Sequence, residues 1–230
     1  MNTSKKVVGL LAASIMTSQA VVVWTGATSA DPFDESNWDL SASSVTLIDE
    51  NVSIADDVTI TGGAVTIPDL VGQGRFQIGN GFMLTLDNSI LGVVNNDGAG
   101  GEPAGTGIQI DVTNGSQFNP FFVVNNVAVD IDGTSSATFG GGGNPVNIAT
   151  INLTDGAVLA FLAETPAAFI AEHLSKVTVD GLPAVEGGNI LVEAFNGASG
   201  SRVTVIPVPE PSSILLTGLA GLGFLIRRRR

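Results

Sequence analysis

The chain of 230 residues contains no cysteine and no tyrosine, and it has a single histidine, His173. The absence of cysteine excludes a disulfide scaffold, a thiol nucleophile and every thiolate-based zinc or iron–sulfur site. With one histidine the usual zinc ligands are missing, so no zinc site is expected. No G-x-S-x-G nucleophile signature occurs, and packing or capping is the expected role of His173. The sequence therefore favours a protein that is not an enzyme.

Basic residues are also scarce: 9 Lys and Arg stand against 22 Asp and Glu, for a formal net charge of −13. Six of the nine lie in the first or last few residues. Between residues 21 and 211 the basic residues are Arg75, Lys176 and Arg202, and all 22 acidic residues lie there too, which gives that part a net charge of about −19. Such a surface excludes nucleic acid as a partner. It also repels anionic polysaccharide unless divalent cations intervene.

The first twenty residues predict a secretory signal peptide. Lys5 and Lys6 precede an apolar run over residues 7–16, and Ser18 and Ala20 are the small residues expected before a cleavage site. We expect export through the Sec translocon with cleavage after Ala20. A second candidate cleavage site follows Ala30, and an uncleaved anchor is the remaining alternative.

The C-terminal residues have three parts in a fixed order. Residues 207–213 form a linker containing Pro209, Glu210 and Pro211, residues 214–226 carry no charge, and the chain ends in Arg227, Arg228, Arg229 and Arg230. The uncharged stretch predicts a transmembrane helix, although thirteen residues are fewer than the ~20 of an ordinary span. The arginines would hold the end of the chain in the cytoplasm, and the prolines would keep residues 209–211 out of any helix.

This tail resembles the PEP-CTERM sorting signal of Gram-negative bacteria, on the strength of Pro209, Glu210 and Pro211, the apolar stretch and the arginines. The resemblance implies recognition by exosortase, a membrane protease-transpeptidase. It implies a precursor tethered to the inner membrane and then a protein of the cell surface or extracellular space. The family is linked to exopolysaccharide and biofilm matrix. An ordinary C-terminal anchor is the alternative.

The exported core, residues 21–206, is predicted to be almost entirely β. Short alternating strands rich in β-branched residues are followed by Asn or Asp with Gly or Ser, and this pattern recurs about every 18–26 residues. The recurring corner residues are Asn88, Asn114, Asp132, Asp155 and Asp180. Repeats of this length predict a right-handed parallel β-helix, or solenoid. Because Asn-Gly and Asp-Gly also favour hairpins, an antiparallel β-sandwich remains the alternative.

One short helix is predicted near residues 166–175. Thr165 would cap it, Pro166 suits its first position, and Phe169, Ile170, His173 and Leu174 share one face. We expect this helix to cover an end of the β-core, because open sheet edges need protection.

The core opens with two tryptophans, Trp24 and Trp38. The W-T-G…N-W arrangement resembles the opening of many exported bacterial β-helix and autotransporter-like repeat proteins. The prediction is a cap in which both rings seal the first coil. The alternative, a platform on which sugars stack, requires both rings to be exposed.

Calcium is the one cofactor that the acidic core suggests. It takes six to eight oxygen ligands, mostly carboxylate and carbonyl. Candidate ligands are Asn95, Asp97, Glu102, Asp130 and Asp132, and solvated acidic loops are the alternative. We therefore expect a structural or adhesive protein of the cell surface or matrix, with exopolysaccharide as a partner. The alternatives are a carbohydrate-active enzyme on a β-helix and a calcium-dependent adhesin.

Overall fold

Alternating apolar residues build two long β-sheets in the computed structural model. It describes residues 21–29, 34–39, 46–48, 51–54, 57–62, 64–66, 75–78, 81–98, 108–125, 127–142 and 144–207. Three 3₁₀ turns lie at Glu35–Asn37, Leu174–Lys176 and Asn196–Ala198. The strands and the α-helix are β1 (Val21–Trp24), β2 (Trp38–Asp39), β3 (Thr46–Ile48), β4 (Asn51–Ile54), β5 (Asp57–Thr61), β6 (Ala64–Thr66), β7 (Arg75–Ile78), β8 (Met83–Asp87), β9 (Ile90–Gly98), β10 (Gln109–Thr113), β11 (Gln117–Asn125), β12 (Ala128–Ile131), β13 (Ser136–Phe139), β14 (Thr150–Leu153), β15 (Val158–Phe161), α1 (Pro166–Glu172), β16 (Val177–Val179), β17 (Leu182–Pro183), β18 (Ile190–Phe195) and β19 (Gly200–Val205).

Within the described residues the strands form sheet A, in the order β17-β16-β14-β12-β10-β8-β5-β1-β2, and sheet B, in the order β18-β19-β15-β13-β11-β9-β7-β4-β3 with β6 beside β9. From β8 to β14 the chain alternates between the sheets, and each strand pairs in parallel with the next strand of its own sheet. Antiparallel pairs occur towards the two ends of the stack. The parallel interior confirms a β-solenoid, with about three regular turns, and the antiparallel sandwich is wrong. The right-handed sense stays a prediction.

The two-residue period of a strand explains how the solenoid forms its core. In β10 the side chains of Ile110 and Val112 are fully buried, while their neighbours are half-buried on the opposite face. The register stacks Ile110 between Leu84 and Val129 of the adjacent strands. Each buried aliphatic side chain contributes about 1.5–3 kcal/mol. Because one coil has little interior of its own, this stabilisation is reached only when coils stack.

Three of the five predicted corner residues have a left-handed backbone conformation. Asn88, Asn114 and Asp180 have φ of 49°, 56° and 49°. Short polar residues tolerate this conformation because their side chains bond to nearby backbone. At the corner after β14 the positive φ, 94°, falls on Gly156 instead of Asp155. Asp132 has no positive φ and stabilises its corner through side-chain hydrogen bonds.

The N-terminal end of the solenoid is closed by the two tryptophans. Trp24 of β1 lies opposite Trp38 of β2, the rings meet edge to face with centroids 4.9 Å apart, and they are 2% and 5% exposed. The capping interpretation is confirmed. A sugar-stacking platform is wrong for these residues because neither ring is available to a ligand.

At the C-terminal end the predicted helix is present as α1, and it contacts β18 and β19. The Thr165 hydroxyl accepts a hydrogen bond from the Ala168 amide at 3.3 Å, and Pro166 occupies the first turn. Phe169 and His173 are fully buried, but Ile170 is 39% exposed. The predicted apolar face is therefore narrower than expected. Among the described residues no helix is long and apolar enough to cross a membrane, and the predicted span 214–226 lies outside them.

Candidate functional site

The outward face of sheet A carries a continuous line of polar side chains, here called the polar row. Its members are half-buried and occupy matching positions on successive parallel strands. They are Thr59, Thr85, Asp111, Asp130, Asn152 and Thr178. Since neighbouring strands lie ~4.8 Å apart, the row places one hydroxyl, carboxylate or amide at each such step along the solenoid.

Hydrogen bonds within the row hold its side chains in place. Gln109 Nε2 donates to Asp111 Oδ1 at 2.6 Å and to Asp130 Oδ2 at 2.8 Å, and so bridges two carboxylates. Farther along, Asn152 Oδ1 accepts from Thr178 Oγ1 and from the Gly181 amide, both at 2.9 Å. These hydrogen bonds fix the orientation of four row members, Asp111, Asp130, Asn152 and Thr178.

Two carboxylates meet in the middle of the row because Asp111 and Asp130 are register partners on β10 and β12. Burial raises the pKa of Asp111 above its ordinary value. The negative charge of Asp130 raises it further, while the Gln109 hydrogen bond opposes the shift. Asp130 is a candidate from the sequence, but Asp111 is not, because only the strand register places the two side by side.

Asp132, two residues beyond Asp130, organises the corner next to it. Its Oδ2 accepts a hydrogen bond from the Asn114 amide at 2.7 Å. Its Oδ1 accepts from the Thr134 amide at 2.9 Å and from Thr134 Oγ1 at 2.8 Å. Burial alone would raise the pKa of Asp132, but these hydrogen bonds and one involving Ser135 lower it below its ordinary value. Oδ2 thus joins two adjacent coils, while Oδ1 orders the turn that follows Asp132.

We expect Asp132→Asn to lower the melting temperature at pH 7, with a loss of about 1 kcal/mol for the weakened corner hydrogen bonds. A carboxylate whose pKa is lowered by folding stabilises the protein above its unfolded pKa of ~3.9. That contribution disappears as the pH falls through the lower folded value. The difference in melting temperature between the variant and the wild type should therefore become smaller below about pH 4. Thermal unfolding from pH 2 to 8 measures it, with Asp155→Asn at the exposed neighbouring corner as the control. A difference that stays constant with pH would contradict this role.

The other predicted calcium ligands do not join Asp130 and Asp132. Asn95 and Asp97 lie on β9 of sheet B, where their backbones pair with Val123 and Asn125 of β11, whereas β12 belongs to sheet A. Glu102 lies outside the described residues. The described residues of the two candidate groups, Asn95 and Asp97 with Glu102 and Asp130 with Asp132, thus belong to different parts of the solenoid, and calcium binding stays a prediction.

A second cluster of ionisable groups lies at the C-terminal end, beside α1. It contains Glu164, Glu172 and His173. Glu164 and His173 are 4% and 0% exposed, and His173 stacks on Phe161 with ring centroids 5.5 Å apart. Burial and the Lys176 charge lower the pKa of His173 to about 4. Burial and the Glu172 charge raise that of Glu164 to about 7. Packing or capping is the role expected of His173 from the sequence. Glu164 is not a candidate from the sequence, because it lies before the helix and reaches His173 only through the fold.

The fold and the polar row define a β-solenoid protein with one ordered, polar sheet face. A comparison with protein-family models matches residues 207–230 to the PEP-CTERM protein-sorting motif. Comparisons with curated proteins and with solved structures found no match. The chain therefore carries the sorting signal that its tail resembles. It is an exported protein that exosortase processes from a membrane-anchored precursor.

The residues predicted to carry sorting and processing lie outside the described residues. They are Ala20, Pro209, Glu210, Pro211, Arg227, Arg228, Arg229 and Arg230. The domain boundaries at residues 20, 206, 213 and 226 stay predictions.

Proposed function

We propose that the protein is a structural, adhesive component of the cell surface or extracellular matrix that contacts exopolysaccharide. The observation that carries this proposal is the polar row of an exported solenoid. Its hydroxyl, amide and carboxylate groups repeat along the stack at strand spacing. Such groups are the donors and acceptors that hydrogen-bond with sugar hydroxyls. The row thus offers a long ligand many similar contacts.

The charge of the core determines how such contact would work. A core with a net charge of about −19 repels an anionic polysaccharide, and divalent cations between the two would reverse the repulsion. Paired carboxylates such as Asp111 and Asp130 are groups that calcium accepts as ligands. Association of the core with anionic polysaccharide should therefore depend on calcium.

The decisive experiment follows the full-length chain in its own cells, separated into cytoplasmic, membrane and extracellular-matrix fractions. We expect a shortened, processed chain in the matrix fraction, from which EDTA releases it. The triple variant Pro209→Ala, Glu210→Ala, Pro211→Ala should accumulate at full length in the membrane fraction, because exosortase no longer recognises the motif.

The matched control is Pro207→Ala with Ser212→Ala and Ser213→Ala, which alters the linker but keeps the three motif residues. It should be processed as the wild type is. A core found wholly in the cytoplasm would contradict the proposed location. A processed chain that remains in the medium without binding the matrix would contradict the role of the polar row but not the sorting.

A carbohydrate-active enzyme is the second candidate, and the paired Asp111 and Asp130 favour it. Glycosidases use two carboxylates, one of which has a raised pKa and acts as an acid. Turnover on a panel of polysaccharides that is lost in Asp111→Asn would support this candidate. Matrix binding without turnover favours the structural role.

A further inference from the structure

Three potential metal ligands converge at the C-terminal cap, far from the sorting signal in sequence. The ligand atoms of Glu164, Glu172 and His173 all lie within 4.8 Å of one another. Glu164 follows β15, Glu172 ends α1, and His173 is the C-cap of α1. The cluster therefore joins the last parallel strand of sheet B to the helix that covers it.

A second observation concerns the bonding of the two buried members. His173 Nε2 lies 2.8 Å from Glu164 Oε2, yet the two atoms are not aligned for a hydrogen bond. Among the described residues neither Nε2 nor either carboxylate oxygen of Glu164 has a hydrogen-bond partner. Burial of a carboxylate without hydrogen-bond donors is strongly unfavourable. Buried ligand atoms that lack hydrogen-bond partners and lie within reach of one ion suit a cation bound beside them.

We propose that Glu164, Glu172 and His173 bind one zinc ion that fastens α1 to the end of the solenoid. One imidazole nitrogen and two carboxylates are a ligand set that zinc accepts, and water would complete a four-coordinate site. Calcium fits less well because it prefers six to eight oxygen ligands. Glu172 is exposed, so an ion can enter from its side.

Lys176 is the charged group that faces this cluster from the following 3₁₀ turn. Its Nζ lies 3.5 Å from His173 Nδ1, but it also contacts Asn144 Oδ1 at 3.3 Å and donates to the Val146 carbonyl. When Nε2 binds zinc, the ring proton resides on Nδ1, which can then no longer accept a hydrogen bond from Lys176. Lys176 keeps only its contacts with Asn144 and Val146. The two carboxylates balance the charge of the zinc ion, and the Lys176 ammonium is held instead by the neutral oxygens of Asn144 and Val146.

The site would explain how a short helix is kept at the open end of a stack. A solenoid needs its terminal coils covered, since their edges and apolar interior have no further neighbour. The helix has only seven residues, fewer than an isolated helix needs for stability. A metal link between its end and β15 would add the missing tether.

The test uses the untagged full-length chain in mild detergent, freed of metal with EDTA and titrated with zinc sulfate alone. Competition with a chromophoric chelator gives the affinity and stoichiometry, and thermal unfolding gives stability. We expect one zinc per chain, a higher melting temperature with zinc than with calcium, and X-ray absorption showing imidazole ligation. The exposed, isosteric variant Glu172→Gln should bind zinc at least ~10-fold more weakly.

Glu186→Gln is the matched control, because Glu186 is an exposed glutamate near the same end and outside the cluster. Its zinc affinity should equal that of the wild type. The proposal is overturned if the wild type binds no zinc, or if Glu172→Gln and Glu164→Gln bind it as tightly as the wild type does. Either result leaves the proposed matrix role untouched, because that role depends on the polar row and the sorting motif.

Discussion

Replacing Phe161 with alanine is expected to destabilise the C-terminal half of the solenoid by about 3–5 kcal/mol. Phe161 is fully buried. Its ring stacks on Phe139 with centroids 4.9 Å apart and on His173 at 5.5 Å, and it contacts Phe169 at 5.3 Å. Truncation leaves a cavity between the last parallel coil and α1, which neither element can fill by a small movement.

Urea unfolding followed by far-UV circular dichroism measures this loss. Circular dichroism is needed because Trp24 and Trp38, the only tryptophans, lie at the other end. In a stacked array each coil contacts only its neighbours. The urea midpoint reported by tryptophan fluorescence should therefore differ less between Phe161→Ala and the wild type than the midpoint reported by circular dichroism. Phe195→Ala is the control, since Phe195 is 37% exposed and should cost about 1 kcal/mol. Equal losses in the two variants would argue against the stacked cluster as the anchor of the cap.

The second large effect is expected for Gly156→Ala, at the corner between β14 and β15. Gly156 has a φ of +94°, and an added Cβ would lie 2.4 Å from the Gly133 carbonyl oxygen on the neighbouring coil. Left-handed backbone costs an alanine about 1–2 kcal/mol. The steric contact adds a similar amount, because two backbones must separate. The expected total is about 3 kcal/mol.

Gly181→Ala separates the two contributions. Gly181 has a similar φ of +76°, but an added Cβ would meet no atom within 4 Å. Its loss should be limited to the backbone strain, about 1–2 kcal/mol. Thermal or urea unfolding of both variants gives the difference, which is the contribution of coil-to-coil contact at the corner. If the two glycines tolerate alanine equally well, close approach of the coils is not what requires Gly156.

The class of fold could be predicted from the sequence because its signals are local. Alternation in segments such as β10 gives each strand one apolar face. Corner residues such as Asn88 and Asn114 terminate the strands at intervals that suit a coil. Thr165 and Pro166 mark the start of α1 by their own side-chain chemistry. Each feature involves residues a few positions apart, so no knowledge of the tertiary structure is needed.

The clusters were missed because they depend on which strand lies beside which. Asp111 and Asp130 are adjacent only through the register of β10 and β12. Proximity along the chain instead paired Asn95 and Asp97 with Glu102, and Asp130 with Asp132. Glu164 likewise approaches His173 only after α1 folds onto the solenoid.

The sequence by itself determined the all-β class, the capping helix, the acidic core and the sorting signal, since these depend on local patterns and composition. Strand pairing in the tertiary structure decided for the solenoid over the antiparallel sandwich. The tertiary structure decided the burial of Trp24 and Trp38, the polar row and the cluster around His173. Those features arise from contacts between residues distant in the chain. Their energies depend on strand register, on desolvation at the ends of the stack and on the approach of neighbouring coils.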